Sequence, residues 1–547
     1  MAIRIFKTTA DALALRGYYK PSGRSGQTLA DSLKTLSPEI YGTMNDPRII
    51  ELKGLEYVID RLPRGIEECT HVILTAQEDL EHTSFDRITP LRRRRTSYRV
   101  SENEMSFVIT RGMSEIYDIL THITFLTIEA EKIRQQMHAG TKNITREWQT
   151  LEKDAAAQNM SGPELDRALW NLSIILGRTF QDTRETYLTL EKSRKEHNSN
   201  MGIFNIIYSL GRRAEEESLA SESNLMVYFT PSLREMIGSH RYGRRWADII
   251  KTKLRDLKLA NRPIHVISAN MHSVMNSLFA YAAREGRDGD LDFYEFITQS
   301  KEEYDLVREF SLNHGLIEIT DDEGTYLDCQ IIDTCSLKNL ELHPSLSLPP
   351  NDCEKDAPVL VVMDYAFGAQ AFEVLEELLS PLHAETGDVF YNISSVSIMG
   401  KAGILPGKKG DLMLASAHVF EGTPHNYTVD NDLTRDDFDD DIDVYTGPIV
   451  TVLGTSLQNR DVLEKFQRTS WKAVGLEMEG GHYHRAISAA IIRKHISPNV
   501  KIRYAYYASD NPLLSGQTLS SGALGDEGIR PTYMITRVIL KKIFNQQ

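Results

Sequence analysis

The sequence predicts two parts: a mainly α-helical domain over residues 1–258 and a three-layer α/β domain over residues 259–547. Three observations lead there. The chain has 547 residues, more than one ordinary hydrophobic core accommodates. Up to about residue 255, apolar residues recur at the 3–4 spacing of amphipathic helices. After Asn261-Arg262-Pro263 the texture changes, and short β-rich runs alternate with helical patterns. That alternation is the mark of a sheet sandwiched between helices.

In chain order, Ile116, Ile119, Ile123, Leu126, Ala130, Ile133 and Met137 predict one long helix. Ser161-Gly162-Pro163-Glu164 has a capping-box pattern. The helix it opens is predicted to continue through Leu169, Leu176, Phe180 and Tyr187, with Gly177 a weak point. Trp246, Ile249, Ile250, Leu254 and Leu257 mark a further helix, assigned to the first domain. In the second domain Ile264–Ile267 reads as a strand and His272–Arg284 as a helix. The unbroken apolar run Pro358–Met363 suits a strand buried on both faces, and a helical pattern follows from Gln370 to Leu379. Further strands are expected at Val396–Met399, Leu412–Leu414, Ile449–Val452 and Lys501–Ala508. The acidic run Asp436–Asp443 reads as a solvated loop; it lacks the Gly and closing Glu of a calcium-binding loop.

Composition narrows the function classes. Hydrophobic content of 41% and charged content of 25% are those of a soluble globular protein. No apolar run approaches the ~18–20 residues of a membrane span. Met1–Gly17 lacks a signal-peptide core, so cytoplasmic residence is the expectation. The four cysteines show no C-x-x-C spacing and are expected to be free thiols. A net charge of −15 argues against a surface that tracks nucleic-acid phosphates. It leaves room for a small anionic ligand in a local basic pocket.

The chemistry-bearing motifs lie in the second half. Gly400-Lys401-Ala402-Gly403 follows an apolar strand and reads as a glycine-bearing turn, where small residues let backbone N–H groups approach a ligand. Gly410-Asp411 follows it. Met478 and Glu479 stand at the start of a helix, before Gly480-Gly481. A carboxylate there can accept two hydrogen bonds from the vicinal hydroxyls of a sugar; alternatively it is an exposed acidic residue favoured by the helix dipole. Asp510, preceded by Ser509, ends the aromatic-rich strand Lys501–Ser509. Ligands of open α/β sheets gather at such strand ends. Desolvated by neighbouring tyrosines, Asp510 would hold a proton that it can pass to a departing base; alternatively it forms an Asx turn with Asn511-Pro512.

Taken in order, Gly-x-Ala-Gly, Gly-Asp, Met-Glu-Gly and Ser-Asp at strand–helix junctions resemble the purine nucleoside phosphorylase and nucleosidase superfamily, over roughly residues 262–547. Within it, Ser509-Asp510-Asn511-Pro512-Leu513 and Leu414-Ala415-Ser416-Ala417-His418 are most similar to the AMP nucleosidases. The resemblance implies a phosphorylase/nucleosidase-like mixed sheet, a homo-oligomer, a small-molecule purine nucleoside or nucleotide as substrate, and no metal or organic cofactor. It implies that Asp510 is the general acid toward the purine with Ser509 beside the base. Met478 and Glu479 would contact the ribose, and Gly400, Lys401, Ala402 and Gly403 would line the place where water or phosphate meets the sugar. The implied activity is N-glycosidic hydrolysis, AMP and water giving adenine and ribose 5-phosphate. The alternatives are a phosphate-dependent nucleoside phosphorylase and a catalytically weak nucleotide-binding regulatory protein.

This chain departs from the family pattern in three places, the first being Ala402-Gly403-Ile404 in place of the usual Ala-Gly-Gly, with Lys401 adding a charge. His482 and His484 stand where small residues are usual, and Ser268-Ala269-Asn270-Met271-His272 lacks the first-strand Glu that helps activate water. In the first half, Arg92, Arg93, Arg94, Arg95 and Arg99 are candidates for binding a 5′-phosphate through forked guanidinium donors. A solvated loop or an intersubunit salt-bridge patch is the alternative for that segment.

Overall fold

The computed structural model describes all residues except 1, 81, 94, 141–142, 158–159, 161, 220–224, 286–289, 322–323, 347–355, 386, 515–524 and 546–547. Two units result: Met1–Ser239 with Ser456–Asn459, and His240–Thr455 with Arg460–Gln547.

Unit 1 is rich in helix, as its periodicity predicts. The helix Met113–His138 carries buried residues on most of its circumference, including Ile116, Ile123 and Ile133. The pattern running past Gly177 is two helices, Pro163–Leu176 and Phe180–His197. Gly177 ends the first at φ +61°, and a Cβ there would run into the Arg48 carbonyl. Thr179 then caps the second by accepting from the Asp182 amide at 3.1 Å. Ser161 of the predicted capping box lies outside the described residues.

Unit 1 also holds a sheet that periodicity did not reveal. Its strands are β1 (Tyr18–Tyr19), β2 (His71–Thr75), β3 (Asp86–Ile88), β4 (Ser97–Ser101), β5 (Glu104–Val108) and β6 (Met226–Phe229), in the order β1-β6-β2-β5-β4-β3. None exceeds five residues, too short for an alternating pattern to stand out. Their pairing joins segments far apart in sequence, such as Tyr18 with Tyr228.

Unit 2 contains β7 (Ile264–Ser268), β8 (Leu316–Ile319), β9 (Cys329–Asp333), β10 (Val359–Met363), the hairpin β11 (Leu382–Ala384) and β12 (Gly387–Val389), β13 (Ile393–Ile404), β14 (Leu412–Phe420), β15 (Asn426–Thr428), β16 (Val444–Thr451), β17 (Gly475–Glu477) and β18 (Lys501–Asp510). The expected three layers follow from alternation along the strands. Val359, Val361 and Met363 of β10 join one core with Trp246, Ala371 and Tyr483 of flanking helices. Leu360 and Val362 join the opposite core with Val274, Phe293 and Met534. The helix Arg241–Asp256, read from sequence as part of the first domain, packs in unit 2: Trp246, Ala247, Ile250 and Leu254 enter its core. Trp246 also donates to the Leu327 carbonyl at 2.7 Å.

The sheet is mixed and partly closed. β13 pairs with β18, β18 with β14, β14 with β16, β16 with β17, and β17 returns to β13. Such a circuit leaves its strands no free edge. The twelve residues of β13 serve two partners on one edge, β7 along Ile393–Ile398 and β17 at Gly403–Ile404.

The acidic run is an irregular segment with Asp436, Asp440, Asp441 and Asp443 exposed, as expected, and it also makes ion pairs. Asp437 pairs with Lys542 at 2.8 Å, Asp439 with Arg537 at 2.6 Å, and Asp441 with Arg530. These carboxylates clasp the basic face of the helix Ile529–Phe544. Among the described residues no helix is long and apolar enough to cross a membrane, and no group of His, Cys, Asp and Glu is arranged to hold a metal. Cys69 and Cys329 are buried free thiols; Cys353 lies outside the described residues.

Candidate functional site

The candidate residues gather around the interval of β13 left between its two edge partners. β7 runs parallel to β13 and its last paired residue, Ser268, lies opposite Ile398. β17 is antiparallel, with Gly475 opposite Ile404 and Leu476 opposite Gly403. The continuation of β7 and the exit of β17 therefore approach Met399–Ala402 from opposite ends. Gly400-Lys401-Ala402-Gly403 is not the turn expected from its glycines but the last third of a strand. β18 pairs with it along the other edge, and that long-range partner overrides the local glycine signal. Gly400, Ala402 and Gly403 are buried and Lys401 is exposed. A Cβ on Gly400 would sit 3.5 Å from the Tyr365 ring, in ordinary contact.

Ser509 and Asp510 reach the same interval through a bulge. Ala402 faces Ala508 and Gly403 faces Asp510, leaving Ser509 as the extra residue of β18. Bulges re-aim side chains in this way. The Ser509 hydroxyl lies 2.6 Å from Asp510 Oδ1 and 3.2 Å from the Ala402 carbonyl, and Asp510 is buried. Gly403 is thus flanked by Asp510 on one edge and Leu476 on the other. Two inter-strand spacings put those backbones about 10 Å apart.

Glu479 follows Leu476 by one short turn and precedes the helix Gly480–Ile492. It is not the exposed dipole-favoured residue that sequence left as an alternative. Its Oε1 accepts from the Gly368 amide at 2.9 Å, and Oε2 from the Met478 amide at 3.3 Å; Met478 is buried. Gly368, in the turn leaving β10, has φ +55°, a left-handed conformation suited to glycine. Tyr483, one turn into the helix, ties the elements further: its hydroxyl lies 3.0 Å from Ser268 Oγ and accepts from the Ala366 amide at 3.4 Å.

Glu477 is the residue that sequence reasoning missed. It is buried and accepts from the amides of Glu479 and Gly480, and from the Thr451 hydroxyl at 2.6 Å. Thr451 in turn accepts from the Gly481 amide at 3.1 Å. His418 Nδ1 stands 3.7 Å from Glu477 Oε1. Burial alone would raise the Glu477 pKa; His418, the Gly480 amide and Thr451 outweigh it and hold the carboxyl below its usual range. The only local signal was an acidic residue three positions before Gly480, next to the free amides of a helix start.

The unusual histidines pack against aromatic rings. His482 lies edge-on to Phe420 at 4.9 Å between centroids. His484 is buried near His418, Tyr427 and Tyr504, and burial pushes its pKa down to about 4. At the end of β7, Asn270 caps the helix Met271–Ala283 by accepting from the His272 amide at 3.0 Å. The His272 ring meets Tyr304 edge-on at 4.6 Å. Gly410-Asp411 builds a turn, where Asp411 accepts from the Lys408 amide at 2.9 Å.

The arginine candidates all belong to unit 1 and differ in fate. Arg92 is exposed, with its backbone amide bonded to the Asp60 carbonyl at 2.8 Å. Arg93 takes φ +56° in the same turn. Arg94 lies outside the described residues. Arg95 is buried against Asp118. Arg99 donates to the Glu102 carbonyl at 2.8 Å and the Arg64 carbonyl at 3.2 Å, so two of its guanidinium nitrogens hold a turn.

The sequence profile described as "Family of unknown function (DUF6909)" matches residues 27–303 and 291–545. The chain belongs to that family. No curated protein matches it. Among solved structures, it is similar to the 5′-methylthioadenosine/S-adenosyl homocysteine nucleosidase of Campylobacter jejuni, at 12% identity and TM-score 0.30, over 51% of this chain and 97% of that one. Uridine phosphorylase from Schistosoma mansoni in complex with thymidine is similar at 12% identity and TM-score 0.31, over 52% and 87%. Purine nucleoside phosphorylase from Toxoplasma gondii is similar at 13% identity and TM-score 0.29, over 52% and 92%.

Proposed function

We propose that unit 2 hydrolyses the N-glycosidic bond of a purine nucleoside or nucleotide, in the manner of AMP nucleosidase. The observation that carries this reading is the flanking of Gly403 by the strand end bearing Asp510 and the strand leading to Glu479. One carboxylate suits the sugar hydroxyls and the other the departing base. Asp510, in its carboxylic acid form, gives a proton to the imidazole-ring nitrogen of the purine as the C–N bond breaks. The bonding pair leaves with the base. The oxocarbenium-like sugar carbon takes the oxygen of water, whose released proton restores the balance. Glu479 holds the ribose hydroxyls by charge-assisted bonds. General acid catalysis of this kind contributes roughly 10²–10⁴-fold.

The test is incubation of the full-length protein with AMP and, separately, with adenosine, each with and without inorganic phosphate, identifying the sugar product. Ribose 5-phosphate from AMP in phosphate-free buffer supports the reading. Ribose 1-phosphate formed from adenosine only when phosphate is present converts it to a phosphorylase. Tight nucleotide binding without turnover overturns both.

A further inference from the structure

Arg95 is enclosed to 3% exposure. Its Nη2 pairs with Asp118, while Nε stands 3.9 Å from Glu115 Oε1, beyond hydrogen-bond reach. Neither Nε nor Nη1 meets an acceptor. The other oxygen of Glu115 is committed to the amides of Thr110 and Arg111, each at 3.2 Å. Arg213 and Arg262, nearly as enclosed, spend their donors on protein acceptors, whereas Arg503, at 0% exposure, also keeps Nη2 without an acceptor. Arg213 faces three carbonyls, those of Ile66, Glu67 and Cys69, and Arg262 pairs with both oxygens of Asp333.

The groups around Arg95 add further donors, with one acceptor among them: Asp60 Oδ1, beside Arg61 and Arg92, is buried without a partner. Arg61 stacks on Tyr57, its guanidinium carbon 3.4 Å from the ring centroid, and donates Nη1 to the Tyr57 carbonyl at 2.9 Å. Arg61 Nε is buried without an acceptor. His122, at 0% exposure, lies edge-on to Tyr57 with Nε2 3.7 Å from Asp118 Oδ1, and neither ring nitrogen is hydrogen-bonded. Burial and the charges of Arg95, Arg61 and Arg93 push its pKa down to about 3, against the pull of Asp118, so the ring is neutral and offers one N–H. Enclosed donors without acceptors are unfavourable, and charged ones more so. Forked guanidinium donors match an oxyanion with several acceptor oxygens.

We propose that Arg95, Arg61 and His122 form a binding site within unit 1 for a small tetrahedral oxyanion, either free phosphate or the phosphate group of a ligand. Arg92 and Arg93, in the adjoining turn, add positive charge on its approach. Arg99 takes no part. The site stands on unit 1 alone and is independent of the chemistry proposed for unit 2.

Thermal unfolding of the full chain with inorganic phosphate, at ionic strength held constant with chloride, tests the proposal. The expected result is a saturable rise in Tm, as ligand linkage requires. Arg95→Lys and Arg61→Gln should each weaken the apparent affinity about tenfold or more, whereas Asp510→Asn leaves it unchanged. Arg61→Gln provides the measurement if Arg95→Lys does not fold. Repeating the titration with AMP, counting only the part of the rise that Arg95→Lys or Arg61→Gln weakens, separates the two sources: saturation at lower concentration than phosphate marks a phosphate ester, and the reverse order marks the free ion. The absence of a phosphate-dependent rise overturns the site. So does a rise insensitive to both arginine substitutions, which would place the anion elsewhere on the chain.

Discussion

Glu479 accepts a hydrogen bond from the Gly368 amide at 2.9 Å, joining the start of the helix Gly480–Ile492 to the turn that leaves β10. The carboxylate proposed to hold the sugar is thereby oriented before substrate arrives, with Oε1 engaged by protein. Glu479→Gln retains an oxygen for Gly368 and removes the charge. Hydrogen bonds to charged groups are worth about 1.5–3 kcal/mol. The expected result is a fall in kcat/KM of roughly 10–100-fold, with Tm nearly unchanged. Undiminished turnover in steady-state kinetics would remove Glu479 from the sugar site.

Asp510→Asn separates acid catalysis from binding. The amide fits the same space but cannot deliver the proton. Turnover of purine substrates should drop roughly 10²–10⁴-fold, with nucleotide affinity retained by equilibrium titration. A riboside with a p-nitrophenol leaving group, which departs without protonation, should be spared most of that loss. An equal loss on both substrates would contradict the assigned role.

Gly480→Ala tests the packing beneath the helix start. A Cβ there would fall inside contact distance of the Tyr506 hydroxyl and the His418 ring. Both neighbours are buried and have little room to move. Overpacking of this kind typically costs about 1–3 kcal/mol. Urea unfolding should show a lower midpoint at unchanged slope.

Glu421, next after β14, supplies a pH dependence. Burial pushes its pKa up to about 7, against the lowering effect of the Leu453 amide. Its contribution to stability is fully present below the unfolded value near 4.5 and is lost as pH rises through about 7. Glu421→Gln should therefore flatten the stability profile across that window and stabilise the protein at about pH 8 by about 1–3 kcal/mol. Denaturant titrations across the window measure it; parallel profiles for the two proteins would show that Glu421 does not carry the effect.

Much of this architecture was legible because it is written locally. The helical periodicity of Met113–His138, the apolar run of β10, and the Met478-Glu479 and Ser509-Asp510 pairs each depend on neighbours in sequence. A period of 3.6 or 2 and a chemistry-bearing pair at an element's end need no distant partner to be seen.

What only the tertiary structure decided has the opposite character. Gly400–Gly403 is strand rather than turn because β18 pairs with it. Glu477 matters because Thr451 and His418 arrive from other strands. Arg95 and Arg99 stand four positions apart in one basic run, yet one is enclosed beside Asp118 and the other braces a turn. Hydrogen-bond partners, burial and strand pairing are relations between residues remote along the chain, and local pattern carries no record of them. The sequence by itself determined where the long helices and the buried apolar strands lie and which residues are candidates for chemistry. Long-range pairing decided which of those residues meet.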